Sequence, residues 1–553
     1  VYVKGGHVLH AAHAMTMNKR FVVFDTEDDS PEVTKRGGSG FNKRVTQIAA
    51  KTSDGKEFYN EGNIEQFLRW LRDMEPAAVW AHNLQYDLGN VFGDCLDEID
   101  ATTIGGRFIR CYWNGIEFRD SFNIWTCSVA NLGVAFGLRK LETNVHSKRY
   151  VFRDVEIVMR ALVFLQRMTE EYEIPRMPCT LGGFAVRIWK AIGGKNWNCD
   201  WPFCRSALFG GRVELFRKEV HGDLYWTDIN SLYPHCMTYE YPVGANDMKD
   251  IEGFGIAGCK IKVPEDFIMP LPCRSEGPDG EDRVIYPYGM LKGIWTFHEL
   301  RNAVEHGAKI QKIYDAVGSK RGHKFYAEFV ERFYKLRKET KDEAKRLFYK
   351  LLMNNLYGQL ASRGVITKTV ALDDPRLRGG AKTFGTKAFL DLATAPPEHV
   401  NYMHAAYVTS YGRLELFRYL KSLGKRMIYT DTDSAIFEGT PPFQTGPELG
   451  QMKLEARGEY CRTHAPKTYV FDDDYVAKGV PKKYAKTFIT KKKASYLQPF
   501  RYREAAQFFD RGNTHKLSVW RKVTKELRSK YDKKELRGNI YYPRAIDTFK
   551  KSE

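Results

Sequence analysis

The chain has 553 residues, too many for one hydrophobic core, so several domains are expected. Its hydrophobic content of 43% is enough for folded domains, and no apolar run approaches the ~18 residues of a membrane-spanning helix. Lysine and arginine total 86 against 68 aspartate and glutamate, a net charge of +18, which favours a polyanionic partner, nucleic acid before an acidic membrane surface, unless basicity serves solubility alone.

Residues 1–14 contain no signal-peptide core, and Met15 or Met17 reads as an original start, so 1–20 is expected to be an extension or tag. The ten cysteines are scattered without a C-x-x-C pair, as expected of reduced thiols in a cytoplasmic protein rather than a zinc site. Phe21–Phe24 reads as a buried strand that ends in Asp25-Thr26-Glu27. The apolar run Ala77–Ala81 leads into His82-Asn83-Leu84-Gln85-Tyr86-Asp87, a strand feeding a helix start. Phe108–Trp113 and Ile116–Arg119, joined by Asn114-Gly115, form a hairpin. Tyr150 and Asp154 are one helical turn apart at the start of an amphipathic run, Val155–Met168. Asp25, Glu27, Asp87 and Asp154 therefore fall at the ends of regular elements. Each alone reads as a cap or surface charge, but together they suit metal-assisted phosphodiester hydrolysis, with Tyr150 orienting a water.

Residues 175–205 read as a linker or a domain junction. In Leu208-Phe209-Gly210-Gly211-Arg212 the glycine pair is either an ordinary turn or a close approach to a ligand, with Arg212 meeting a phosphate. A strand, Leu224–Thr227, ends in Asp228-Ile229-Asn230-Ser231-Leu232-Tyr233-Pro234, which places Tyr233 near the acid. Residues 241–290 look irregular, and Thr296 to Glu299 is a capping box whose helix Gly307 can close. Glu328 to Gly358 is strongly helical. Arg346, Lys350, Asn354 and Tyr357 lie on one stripe of it, either a solvated face or a grip for a triphosphate and base. Residues 362–400 again look irregular, and a helix spans Ala405–Leu423. In Tyr429-Thr430-Asp431-Thr432-Asp433-Ser434 two acids at i and i+2 lie between apolar runs, as a solvated turn or as half of a divalent-metal site. Lys467-Thr468-Tyr469 precedes a basic stretch, Lys478 to Lys493, interleaved with Tyr484, Phe488, Tyr496 and Phe500, as expected where a nucleic-acid backbone is held. Arg501–Phe549 is expected to be mostly helical.

This order of motifs resembles the family B DNA polymerases, and within them the small protein-primed enzymes of phages and linear plasmids. Asp228-x-x-Ser231-Leu232-Tyr233-Pro234, Lys350-x-x-x-Asn354-Asn355-x-Tyr357-Gly358 and Tyr429-x-Asp431-Thr432-Asp433-Ser434 are similar to the three polymerisation motifs. Asp25-x-Glu27, Asn83-x-x-x-Asp87 and Tyr150-x-x-x-Asp154 are similar to those of the 3′–5′ proofreading exonuclease, and Ser128-Val129-x-x-Leu132 to a motif contacting single-stranded primer. Two departures are present: Leu208 stands at the tyrosine of the family's Y-x-G-G motif, and Asn355 at a position often serine.

The resemblance implies an α/β, or α+β, multidomain fold: a ribonuclease-H-like exonuclease and a right-hand polymerase of palm, fingers and thumb with two insertions. The expected division is exonuclease 21–185, palm 186–240 and 401–495, terminal-protein-region insertions 241–325 and 362–400, fingers 326–361, and thumb 496–553. It further implies two magnesium ions per site, with manganese able to substitute. Asp228, Asp433 and the Ile229 carbonyl would ligate one pair, with Asp431 supporting. Asp25, Glu27, Asp87 and Asp154 would hold the other. Lys350 and Arg346 would neutralise the incoming phosphates, Tyr233 would exclude a 2′-OH, and Asn354 and Tyr357 would flank the nucleotide. Asn83, Ser128, Gly210, Gly211, Arg212, Ser231, Lys467 and Tyr469 would contact DNA. Expected partners are primer-template DNA, deoxynucleoside triphosphates and a terminal priming protein. A monomer in the cytoplasm, a host's if viral, with no membrane partner, completes the expectation. A family B enzyme without protein priming, and a non-catalytic DNA-binding replication factor, are the rivals.

Overall fold

The computed structural model describes residues 20–28, 40–41, 45–142, 147–277, 280–499, 502–505, 520–527 and 531–547, so the expectations for residues 1–19 and Phe500 lie outside it. The apolar run at Phe21 becomes the strand Phe21–Asp28, buried on both faces inside a sheet. It pairs antiparallel with Val45–Thr52 and parallel with Ala78–Ala81, which in turn lies parallel to Ile116–Asp120. The predicted hairpin forms, with Asn114 at φ 47° and Gly115 at φ 79°, the left-handed pair a two-residue turn requires. Helix Lys148–Glu171 covers one face through Val151, Val155, Ile157 and Leu162, packed with Trp80 and Trp125.

A second sheet of seven strands carries the later motifs. Its order is Asp474–Ala477, Thr468–Phe471, Met452–Ala465, Glu219–Ile229, Ser434–Glu438, Met427–Asp431, Val213–Leu215. Behind it runs Tyr402–Leu423, capped by the Asn401 side chain and buried nearly all round. Such burial needs its one buried arginine neutralised: Arg413 donates to Glu299 at 2.8 and 2.9 Å. Glu299 belongs to the predicted capping box, which forms with Thr296, and Gly307 follows that helix at φ 88°.

Several expectations for irregular or helical segments are corrected. The stretch 241–290 contributes Asn246–Asp247, Phe254–Val263 and Tyr288–Thr296 to a five-stranded sheet completed by Lys309–Ser319 and Ala545–Asp547. Its prolines and glycines fall mainly at bends, while Phe254–Val263 buries most of its residues. Of the two readings of residues 175–205, the flexible linker is excluded: Leu181–Ala191 is a buried helix against Glu343–Leu360. The long helical run breaks at Thr340–Asp342 into Ala327–Glu339 and Glu343–Leu360, because Asp342 accepts the Ala344 and Lys345 amides as an N-cap. Helix Ala405–Leu423 begins earlier, at Tyr402. The described part of 501–549 is mainly strand, with Trp520–Glu526, Glu535–Arg537, Ile540–Tyr542 and Ala545–Asp547. Alternation of aromatic or β-branched with charged residues overrides the helical reading there.

Residues 365–393 form a hairpin, Val365–Ala371 with Lys387–Ala393, that joins the first sheet at Asp100–Ile104 and extends it to ten strands. Thr369 Oγ1 accepts the Ala101 amide at 2.7 Å, and Asp97 Oδ2 accepts from the amide and hydroxyl of Thr386, both at 2.9 Å. Among the described residues no helix is long and apolar enough to cross a membrane. The ten cysteines are free thiols.

Candidate active sites

Asp228 and Asp433 come together because their strands are neighbours. Glu219–Ile229 runs antiparallel to Ser434–Glu438 with Asp228 opposite Ser434. The turn before Ser434 places Thr432 at φ 63°, and the Asp433 carbonyl accepts the Ile229 amide at 2.7 Å. Burial raises the Asp228 carboxyl to about 7, with the Asp433 charge the next cause. Burial likewise raises Asp433 to about 6, with the charge of Asp431 adding to it. Lys453 and Lys350 act the other way on Asp228. Asp431 is differently placed. Lys467 Nζ lies 3.1 Å from its Oδ1, and Thr432 Oγ1 donates to the same oxygen at 3.0 Å. The two acids of the Asp-x-Asp turn are thus unequal: one faces Asp228, the other is neutralised by a lysine.

The glycine pair is explained at this turn. A Cβ on Gly211 would lie 2.6 Å from Thr432 Oγ1 and 2.9 Å from its Cβ, so only glycine lets the two chains approach. The Arg212 carbonyl accepts the Thr432 amide at 2.7 Å, and the Gly210 carbonyl accepts from Arg413 at 2.9 Å. The Arg212 side chain corrects the expectation of a phosphate contact. It is buried, ion-paired with Glu214, and donates to the Met269 carbonyl at 2.8 Å. Glu214, at i+2, shares its inward face.

From the helix Glu343–Leu360, Lys350 stands exposed near Asp228, and Tyr357 packs on Tyr233 with ring centroids 4.5 Å apart. Asn354 is half-buried between them along the helix. Arg346, farther along the same stripe, pairs with Glu343 at 2.9 Å. Ser231 adopts φ 51° at the start of helix Leu232–Cys236. Lys467, at φ 59°, donates its amide to the Tyr429 hydroxyl oxygen (2.8 Å), and Tyr469 packs 4.9 Å from Tyr429.

In the first sheet Asp25, Glu27 and Asp154 bring carboxylate oxygens within 4.8 Å of one another. The period-two spacing puts Asp25 and Glu27 on one face, while Thr26 points the other way. Thr26 donates its amide and hydroxyl to Asp87 Oδ1 at 3.0 and 2.8 Å, so Asp87 adjoins this group without joining its tightest part. Burial raises Asp25 well above the ordinary carboxylate value, and the charges of Asp87, Asp154 and Glu27 raise it further. Buried Asp154 Oδ1 has no hydrogen-bond partner. An all-oxygen donor set, mutually repelling, with an orphaned carboxylate oxygen, fits a hard divalent cation.

Tyr150 sits one turn before Asp154, as predicted. Lys140, missed in the sequence, forms an ion pair with Asp154, and its Nζ lies 4.9 Å from the Tyr150 ring centroid. No spacing rule links Lys140 to either residue. Lys453, opposite Asp228 across the sheet, was missed for the same reason. Asn83 is exposed at φ 71°, its amide held by Asp120 at 2.9 Å. The Ser128 hydroxyl accepts the Asn131 amide at 3.2 Å and caps a short helix.

The comparisons agree with this geometry. The sequence model of the family described as DNA polymerase type B, organellar and viral, matches residues 139–387. The matched stretch is somewhat under half of the chain, and it agrees with the resemblance of the motifs to the family B DNA polymerases. The chain is similar to the DNA-directed DNA polymerase of Enterobacteria phage PRD1, 26% identical over 460 residues, 75% of this chain and 77% of that protein. Its fold is that of Phi29 DNA polymerase. The orthorhombic crystal form gives a TM-score of 0.69, and the ternary complex with primer-template DNA and incoming nucleotide gives 0.70. Each is 16% identical and covers 92% of this chain and 100% of the other.

Proposed function

We propose that the protein copies DNA at Asp228 and Asp433 and edits 3′ ends at a separate site on Asp25, Glu27, Asp87 and Asp154. The observation that carries this is the existence of two acid groups in two different sheets, each raised in pKa by burial and by neighbouring carboxylates. Magnesium, two ions per site with manganese able to substitute, would be held by Asp228, Asp433 and the Ile229 carbonyl in one and by the four acids in the other. Bound there, divalent ions polarise phosphoryl oxygens and acidify the attacking hydroxyl or water.

The chain's own residues supply positioning and charge, which is most of what phosphoryl transfer requires. Lys350 presents an exposed cation to the incoming triphosphate. Tyr233 and Tyr357 form one aromatic wall, on which Tyr233 stands against a 2′-OH. Asp431 and Lys467 neutralise each other, and Lys467 and Tyr469 steady the primer end. In the editing site Tyr150 orients the water and Lys140 offsets the Asp154 charge, while Asn83 and Ser128 hold the frayed strand. The division into exonuclease, palm, fingers, thumb and two terminal-protein regions follows the boundaries given above. The primer-template and nucleotide of the Phi29 complexes support the same ligands for this chain.

Primer extension and 3′ degradation of labelled DNA test the reading. Asp433→Ala is expected to abolish extension and keep degradation; Asp25→Ala is expected to do the reverse. Loss of both activities in either folded variant would overturn the two-site assignment. For priming, a terminal protein should be deoxynucleotidylated by the enzyme, and no transfer to the cognate protein would leave a family B enzyme that extends nucleic-acid primers only.

A further inference from the structure

The C-terminal segment 531–547 returns across the second sheet to the five-stranded one. The Asn539 carbonyl and Oδ1 accept the Lys218 and Glu219 amides, both at 2.9 Å. The Tyr541 amide donates to the Phe216 carbonyl at 2.8 Å, and Ala545–Asp547 pairs parallel with Tyr288–Met290. Within this strap Lys534 is buried, only 2% exposed. Its Nζ lies 3.0 Å from Glu214 Oε1 and 3.5 Å from the Phe216 ring centroid. The other oxygen of Glu214 holds Arg212, giving two buried cations around one carboxylate. Replacing such a cluster by apolar packing of similar volume is often neutral or stabilising, so its burial is weak evidence of a purely stabilising role.

Its position points to another role. Glu214 lies opposite Thr430 on neighbouring strands, and the Arg212 carbonyl holds the Thr432 amide of the Asp431–Asp433 turn. We propose that Lys534 is a positioning residue of the polymerisation site: through Glu214 and Arg212 it fixes the Thr432 backbone, and so the placing of Asp433 beside Asp228. This rests on the reading of Asp228 and Asp433 as that site. Burial opposes the lysine's charge and draws its pKa down to about 8, which Glu214 resists.

The full chain tests it, with wild type and Asp433→Ala as controls beside Lys534→Met and Lys534→Arg. Lys534→Met is expected to lower the kcat of extension on the order of tenfold or more, since small displacements at such sites cost that much. The 3′ degradation rate stays within about twofold of wild type, because the Asp25 group lies in the other sheet and does not use the Thr432 turn. Amide hydrogen exchange across 427–436 speeds up without added metal, and Lys534→Arg recovers most of the kcat. If wild type did not extend, or Asp433→Ala did, the site reading itself would fail. If those controls behave and Lys534→Met matches wild type, this proposal alone fails. Equal loss of both activities with a lowered Tm, unrescued by arginine, makes the lysine a stabiliser of the fold and also overturns it.

Discussion

Neutralising Asp433 without removing its shape, as Asp433→Asn, should make the metal-free protein more stable at pH 8 while ending extension. Without a cation, Asp228 and Asp433 are two carboxylates forced together by the hydrogen bond between Ile229 and the Asp433 carbonyl. Burial, with the charge of Asp433 next, raises Asp228 to about 7; burial, with the charge of Asp431 adding to it, raises Asp433 to about 6. A carboxyl whose folded pKa is raised contributes stability that is full below its unfolded value and lost as pH rises through the folded one. Here the window runs from the ordinary value of 3.8 to about 7. Like charges in near contact repel by about 4 kcal/mol at the effective dielectric of a protein surface. Both groups are partly exposed, and screening reduces this to ~1–2 kcal/mol. In EDTA at pH 8 the variant should therefore melt about 1–3 °C above wild type. The gap should close near pH 4, where both carboxyls are protonated in wild type. Magnesium should then raise the wild-type Tm and leave the variant nearly unmoved, reversing the order. Calorimetry at the two pH values, with and without the ion, reads all four numbers. A variant less stable than wild type by the same margin at both pH values would refute the reasoning, as would an equal magnesium shift in both proteins.

Gly211→Ala drives a methyl group into Thr432, so extension should fall on the order of tenfold at a stability cost of ~1–3 kcal/mol, with 3′ degradation unchanged in the same preparation. Lys140→Met removes the cation beside Asp154 and should depress 3′ degradation while leaving extension intact, as single-turnover assays of both reactions would read. Glu299→Gln leaves Arg413 buried without its counter-charge and should cost about 3–5 kcal/mol in urea unfolding, with a lower midpoint and an unchanged slope.

Where the chemistry is local, the sequence is legible. Asp25 and Glu27, the Asp431–Asp433 turn, the Asn114-Gly115 hairpin and the Thr296 capping box are each set by spacings of a few residues, and each forms where expected. The stripe from Lys350 to Tyr357 likewise delivers its lysine and tyrosine to the acids. Groups joined only by tertiary approach left no trace: Lys140 beside Asp154, Lys453 opposite Asp228, Lys534 under Glu214. Arg212 misled because a cation after a glycine pair suits a phosphate equally well, and only the inward face it shares with Glu214 decides otherwise. The segments 241–290 and 520–547 misled because their prolines and charges punctuate strands whose partners lie far away in the chain, including the pairing of Ala545–Asp547 with Tyr288–Met290.

The hairpin 365–393 leaves one helix of the polymerase motifs, becomes an edge of the sheet that carries Asp25, and returns to the next helix. The two acid groups are therefore stitched together by backbone hydrogen bonds rather than tethered by a linker. Sliding the N-terminal sheet against Tyr402–Leu423 would have to peel Val365–Ala371 from Asp100–Ile104 and free Asp97 from Thr386. The distance between the two groups is a built-in length. On the two-site reading proposed above, a strand end exchanged between them would have to cover that length by its own unpairing.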